Sequence, residues 1–172
     1  MNTSIILTII ADDHPGIVQT VSSILTKHGG SWTQSSMSTL AGQFAGILLA
    51  SVPANKSVVC LQDLHGLESK GLQVIAHISS KMDDIKELHQ YELELVGNDR
   101  PGIIHDITGV LKNHDINVKD LETVIEGAPM GGGDLFKAWV RLEVPSGADI
   151  DALENDLEDM ANELMVDIHL ER

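Results

Sequence analysis

The sequence has almost no cysteine and no long apolar run, and each shortage excludes a class of protein. Cys60 is the single cysteine among 172 residues, so the chain cannot form an internal disulfide. We expect it to pack as a small core side chain, with a redox role as the alternative. No stretch reaches the roughly 18–20 apolar residues that a membrane-spanning helix needs. A signal peptide is not visible either, so we expect a soluble, cytoplasmic protein without a membrane partner.

Sequence motifs for catalysis are also missing. The chain has no Gly-x-Ser-x-Gly motif, no phosphate-binding loop with its lysine and no dinucleotide fingerprint. Its eight histidines are scattered without the spacing of a metal-binding helix face. The pair Asp12-Asp13 lacks the later oxygen ligands of a calcium loop. We therefore expect no catalytic residue, no metal and no cofactor, and a small enzyme is the least favoured hypothesis.

Basic residues are scarce, and the resulting negative charge lies in one half of the chain. Residues 1–82 hold four Lys/Arg against four Asp/Glu, whereas residues 83–172 hold seven against twenty-two, which accounts for the whole net charge of -15. Nucleic-acid binding normally requires a basic patch. We therefore expect no direct contact with DNA, so that any influence on DNA passes through a partner protein. The alternative is an acidic surface that only keeps the protein solvated.

What the sequence does contain is an internal repeat. The motif Asp-x-Pro-Gly-Ile occurs at 13–17 and again at 99–103, an offset of 86 residues. Apolar residues follow in the same register, Ile17, Val18, Val21, Ile24 and Leu25 matching Ile103, Ile104, Ile107, Val110 and Leu111. This agreement indicates a duplication. We predict two domains, residues 1–82 and 88–172, with a polar connector at 81–88.

Each half carries the pattern of six elements in the same order. The first half predicts strands at 5–11, 31–39, 44–52 and 72–80, and helices at 15–28 and 54–70. The second helix has a stripe of Val58, Leu61, Leu64 and Leu67, and a kink at Gly66 is left open. The second half predicts strands at 91–95, 116–125, 138–144 and 166–170, helices at 101–114 and 150–164, and a long, flexible loop at 126–134. The order βαββαβ predicts an α+β, ferredoxin-like fold with both helices on one face of a sheet.

The repeated turn has a chemistry of its own. Asp13 and Asp99 each stand just before the start of a helix, where several backbone N–H groups lack intrahelical partners. Those N–H groups suit a small carboxylate ligand, and the aspartate can accept a hydrogen bond from an ammonium group. Together they match the two ends of a free amino acid. The structural alternative is that the aspartate caps the helix and Pro-Gly sets the turn.

The second copy of the repeat resembles the signature of ACT domains, which are small ferredoxin-like regulatory modules that often bind amino acids. The resemblance rests on Asn98-Asp99-Arg100-Pro101-Gly102-Ile103, Leu111 and Ile116-Asn117-Val118. The first copy departs from it, with His14 in place of the usual arginine and Ser31 in place of Asn117. Two such domains, together with Gly127-Ala128-Pro129-Met130 and Asp134-Leu135-Phe136, resemble the glycine cleavage system transcriptional repressor family.

This resemblance implies an amino-acid-responsive negative regulator that antagonises a DNA-bound activator of the glycine cleavage genes, with glycine as the ligand. It also implies ligand sites where two ACT domains meet, built by position from Asp13, His14, Gly16, Ile17, Asn98, Asp99, Arg100, Gly102, Ile103 and Asn117. His14 leaves the number of working sites open. A ligand-free protein–protein interaction module is the alternative. ACT sheets commonly pair edge to edge, which covers an otherwise exposed strand and leaves a homodimer open.

Overall fold

The structure is a computed structural model that describes residues 1–79, 88–128 and 133–172. The chain divides into two compact units, Met1–Asp84 and Ile85–Arg172. Each unit is a four-stranded antiparallel sheet with two α-helices in the order βαββαβ, which confirms the α+β, ferredoxin-like prediction. The predicted connector lies outside the described residues except at its last position, and so does the centre of the loop predicted at 126–134. No helix in the described ranges is long and apolar enough to span a membrane.

The first unit is built from β1, α1, β2, β3, α2 and β4, and its strands lie in the order β2-β3-β1-β4. The bounds are β1 (Asn2–Asp12), α1 (Ile17–Lys27), β2 (Ser31–Leu40), β3 (Gln43–Pro53), α2 (Ser57–His65) and β4 (Gln73–Ile78). Inward side chains of the sheet pack against both helices in one core. Cys60 of α2 is fully buried there, and burial raises the pKa of its thiol. The prediction that it is a core residue is confirmed.

The second helix of this unit differs from its prediction. Residues 54–70 form two 3-10 turns, Ala54–Lys56 and Gly66–Lys70, on either side of α2 rather than one helix. The predicted stripe began at Val58, but that side chain is 61% exposed. Ser57 is buried in its place because its hydroxyl donates to the carbonyl of Ala54 at 2.9 Å. This local hydrogen bond removes the cost of burying a polar side chain.

The second unit repeats this arrangement with β5, α3, β6, β7, α4 and β8, and its strands lie in the order β6-β7-β5-β8. The bounds are β5 (Leu88–Asn98), α3 (Ile103–Asn113), β6 (Asn117–Gly127), β7 (Asp134–Pro145), α4 (Ile150–Leu164) and β8 (Val166–Glu171). The helix predicted at 150–164 is confirmed as α4, and its buried face consists of Leu153, Leu157, Met160 and Leu164. The carboxylate of Asp149 caps α4 by accepting from the N–H of Ala152 at 3.0 Å.

The first helix of each unit begins two residues later than the sequence predicts. Gly16 and Gly102 have φ angles of 101° and 97°, in the left-handed region that glycine adopts without strain. A residue in that conformation cannot belong to a right-handed helix, so Pro-Gly forms a turn and the helices start at Ile17 and Ile103. The predicted start at the proline was wrong for this reason.

Candidate functional site

Each candidate site lies at the turn between the first strand and the first helix of its unit. The turn is anchored by one backbone hydrogen bond, from the N–H of Asp13 to the carbonyl of Gly42 and from the N–H of Asp99 to the carbonyl of Asp134, both 2.9 Å long. Both aspartate side chains are exposed. The backbone at the turn is therefore fixed to the neighbouring hairpin while the carboxylate faces water.

Neither aspartate caps its helix, so the capping explanation is wrong. The residues at the N-cap position are Gly16 and Gly102, and within the described residues no side chain caps either helix there. Their carbonyls accept the first helical bonds, from Thr20 at 2.9 Å and from Asp106 at 3.0 Å. The N–H groups of the first turn are thus available to an anion, beside a carboxylate that no described residue engages at the helix start.

The remaining residues of the motif divide by role. Ile17 and Ile103 are each 2% exposed and belong to the cores, so they offer a ligand only their backbone N–H groups. At Gly16 a Cβ atom would meet nothing within 4 Å, and at Gly102 it would approach only Asp106. Glycine is needed here for its positive φ and not for space.

The two turns differ in charge. In the second unit, Arg100 donates from Nη2 to Oδ2 of Asp106 at 3.0 Å, and both side chains are partly exposed. In the first unit, Nδ1 of His14 lies 3.0 Å from the carbonyl oxygen of Pro15, and Thr20 takes the place of Asp106. Sequence reasoning missed Asp106. Its signal was an acidic residue in the first helical turn, close to the arginine of the motif.

A cavity of about 550 Å³ lies between α3 and α4, and Arg100 is part of its lining. Four carboxylates share that lining, those of Asp106, Asp156, Asp159 and Glu163. Like charges disfavour an anionic group in such a place. The carboxylate of an amino acid is therefore disfavoured in this cavity.

The structure does not bring Asn117 together with the other candidates of its unit. Asn98 ends β5 beside Asp99, but Asn117 begins β6 and its amide donates to Glu143 at 3.3 Å. Glu143 pairs with Gln90 of β5, eight residues before Asn98, which is about 26 Å along the strand. A ligand site where two domains meet stays a prediction. In the described ranges, no three His, Cys, Asp or Glu side chains are placed to hold a metal ion.

Comparison with known proteins identifies the family. The ACT domain model matches residues 3–77 and 93–171, and the chain belongs to the ACT domain family. Along its whole length the chain is similar to an unknown protein from Galdieria sulphuraria, with a TM-score of 0.88 and 29% identity over 99% of this chain and 98% of that one. It is also similar to a candidate glycine cleavage system transcriptional repressor, with a TM-score of 0.70 and 18% identity over 99% and 96%. That identity shows a shared fold alone. No curated protein matches the chain.

Proposed function

We propose that this protein is an amino-acid-responsive regulator that binds a small amino acid at the turns before α1 and α3. The observation that carries the proposal is an exposed aspartate that leaves its helix uncapped, next to first-turn N–H groups that no side chain of the described residues caps. An α-amino acid carries an ammonium group and a carboxylate group on the same carbon atom. Its carboxylate suits the helix N-terminus and its ammonium group suits Asp13 or Asp99.

We further propose that the regulator is a negative one and acts on the glycine cleavage system, with glycine as the ligand. The likeness to a candidate repressor of that system supports this choice. The net charge of -15 supports an action through a DNA-bound activator protein, because phosphate backbones repel such a chain. A cytoplasmic location belongs to the same proposal. Affinity capture with the purified protein tests the partner, and capture that recovers no transcription regulator from a cell lysate would argue against it.

Calorimetric titration with glycine, followed by the other amino acids, tests the ligand. We expect saturable heat with the wild type and its loss in the double variant Asp13→Ala with Asp99→Ala. Each single variant reports on one turn, so the stoichiometry shows whether His14 has disabled the first site. Saturation by a different amino acid would retain the sensor and reject the glycine pathway.

Asp149→Ala is the matched control, because Asp149 is a true helix cap at an unrelated helix. It should lower the free energy of unfolding by about 0.5–2 kcal/mol and leave ligand binding intact. Asp99 caps no helix, so Asp99→Ala should change the free energy of unfolding by less than about 0.5 kcal/mol. The same variant should abolish ligand binding at its turn. Equal losses of stability in the two variants, with unchanged heats, would contradict the proposed role of Asp99.

A second candidate function is a ligand-free interaction module. The ion pair between Arg100 and Asp106 favours this function, because Asp106 already engages the guanidinium group of Arg100 when no ligand is bound. Flat titrations across the whole panel of amino acids would support this function over the sensor.

A further inference from the structure

The first sheet has an outer face, opposite its helices, that carries no charged side chain over most of its area. Here the outer face means the outward residues of the four strands between the rows of Ser4 and Ile10. In β1, β3 and β4 these are Ser4, Ile6, Thr8, Ile10, Ala45, Ile47, Leu49, Ser51, Gln73, Ile75 and His77, and β2 adds Ser31, Gln34, Ser36 and Ser38. Ile47 is 47% exposed and Ile75 is 70% exposed.

The second unit provides an internal comparison, because its ladder registers match those of the first. The row Leu49, Ile6 and His77 corresponds to Arg141, Glu92 and Glu171. The row of Ile47, Thr8 and Ile75 corresponds in the same way to Trp139, Glu94 and His169. The same fold therefore tolerates charge at these positions, and its absence from the first sheet is not a requirement of the fold.

Charge indicates what covers this face. In a two-fold symmetric contact a surface meets itself, so a surface with net charge repels its own copy. The outer face of the second sheet would do so, since Glu92, Glu94 and Glu122 lie on it. The outer face of the first sheet brings neutral, partly apolar residues together and includes a shallow cavity of about 400 Å³ beside Ile6 and Ile47. A partner recognised by ion pairs would gain nothing there.

The size of the face agrees with a weak symmetric contact. From the row of Ser4 to the row of Ile10 the face spans seven residues of β1, and four strands about 4.8 Å apart with about 3.3 Å per residue cover roughly 400 Å² in projection. Two copies would bury roughly 800 Å², below the range for stable specific interfaces, so the contact is a weak one. Such a contact forms at high protein concentration and dissociates on dilution.

We propose that the outer face of the first sheet is a self-association surface, through which two copies of this chain pack sheet against sheet. This contact is distinct from edge-to-edge pairing of strands, because it uses side chains and leaves the backbone of β2 and β4 unpaired. It is independent of ligand binding at the turns.

Sedimentation equilibrium from about 1 to 300 μM, a range suited to a contact of this size, tests the proposal. We expect the wild type to shift with concentration from the chain mass of 18.6 kDa toward twice that mass. Ile75→Glu and Ile47→Glu should each weaken the dimer at least tenfold, because each places a charge against its own copy. His169→Glu is the matched control, at the same ladder position of the second unit, and should leave the dimer unchanged.

The salt dependence of dimerisation distinguishes this contact from one that is held by ion pairs. Raising salt screens the repulsion between two acidic chains, so the dimer should hold or strengthen, whereas ion pairs would weaken. A wild type that stays monomeric throughout would overturn the proposal. So would a dimer that both isoleucine variants leave intact, which would instead indicate edge pairing. Circular dichroism of each variant at low concentration establishes that it is folded.

Discussion

At the scale of single residues, Asp63 joins the two helices of the first unit. Its Oδ2 accepts hydrogen bonds from Nζ of Lys27 and from Nε2 of His28, each 2.8 Å long. The bond from Lys27, and then that from His28, hold the pKa of Asp63 below its ordinary value of 3.8. The second unit repeats the link, since Nε2 of His114 donates to Asp156 at 2.7 Å. Both histidines are the C-cap residues of their helices.

The lowered pKa of Asp63 predicts a loss of stability in acid. A carboxyl group whose pKa is lower in the folded state stabilises that state above its unfolded pKa, and this contribution disappears as the pH falls through the folded value. The free energy of unfolding of the wild type should therefore decrease as the pH falls below about 4. Urea titrations at pH 6, 4 and 3 measure it, and Asp63→Asn should show a smaller decrease.

The loss of stability in acid should not vanish in the variant Asp63→Asn. The pKa of Glu143 is lowered as well, by hydrogen bonds from Lys119 and Asn117. Glu143→Gln should remove this second contribution independently, because the two groups lie in different units. Identical acid profiles for the wild type and Asp63→Asn would show that the Lys27–Asp63–His28 cluster does not contribute.

At the scale of elements, the close approach of β5 to β8 depends on Gly97. A Cβ atom built there would lie 2.8 Å from Cβ of Val166, its ladder partner. Gly97→Ala should therefore force the two strands apart and lower the free energy of unfolding by about 1–3 kcal/mol. Thermal or urea unfolding measures the loss.

The same substitution inside α3 has the opposite expected sign. Gly109 lies within that helix, and a Cβ atom there would meet nothing within 4 Å. Gly109→Ala should raise the free energy of unfolding by about 0.5–1 kcal/mol, because alanine favours the helix. Destabilisation of similar size in both variants would show that the clash with Val166 is not the cause.

The sequence predicted the elements better than their ends. Period-two and period-3.6 patterns, together with the 86-residue repeat, were sufficient for the eight strands and four α-helices of the described residues. Burial of one face determines those patterns in most of these elements, whereas β2 and β6 bury no residue. The helix starts were missed because the left-handed φ of Gly16 and Gly102 is a matter of turn geometry, which the apolar stripe does not encode. The buried Ser57 was missed because its hydrogen bond to Ala54 is a local feature of the folded chain.

The candidate site was predictable to a similar degree. Motif and spacing identified the turn, its aspartate and its glycine. The separation of Asn117 from Asn98 required the sheet register, and the Arg100–Asp106 pair required side-chain geometry. Neither follows from residue spacing.

At the scale of the whole molecule, each half has its own core. One core runs from Ile5 to Ala76 and the other from Leu93 to Val166, and they share no residue. The charge is divided just as sharply, with the net -15 in the second half. A domain that buries its own core should fold alone, and about 80–90 residues are enough to form such a core.

We therefore propose that residues 1–82 and 88–172 fold as independent domains, and we expect each, expressed alone, to unfold in one cooperative transition. The second should lose more stability at low salt than the first, because its negative charges repel one another and salt screens that repulsion. Urea unfolding at about 20 and 300 mM salt compares them across a change in screening length. A fragment that shows no cooperative transition would contradict its independence. Equal salt responses would show that the acidic side chains lie too far apart, or too near compensating cations, for their repulsion to affect stability.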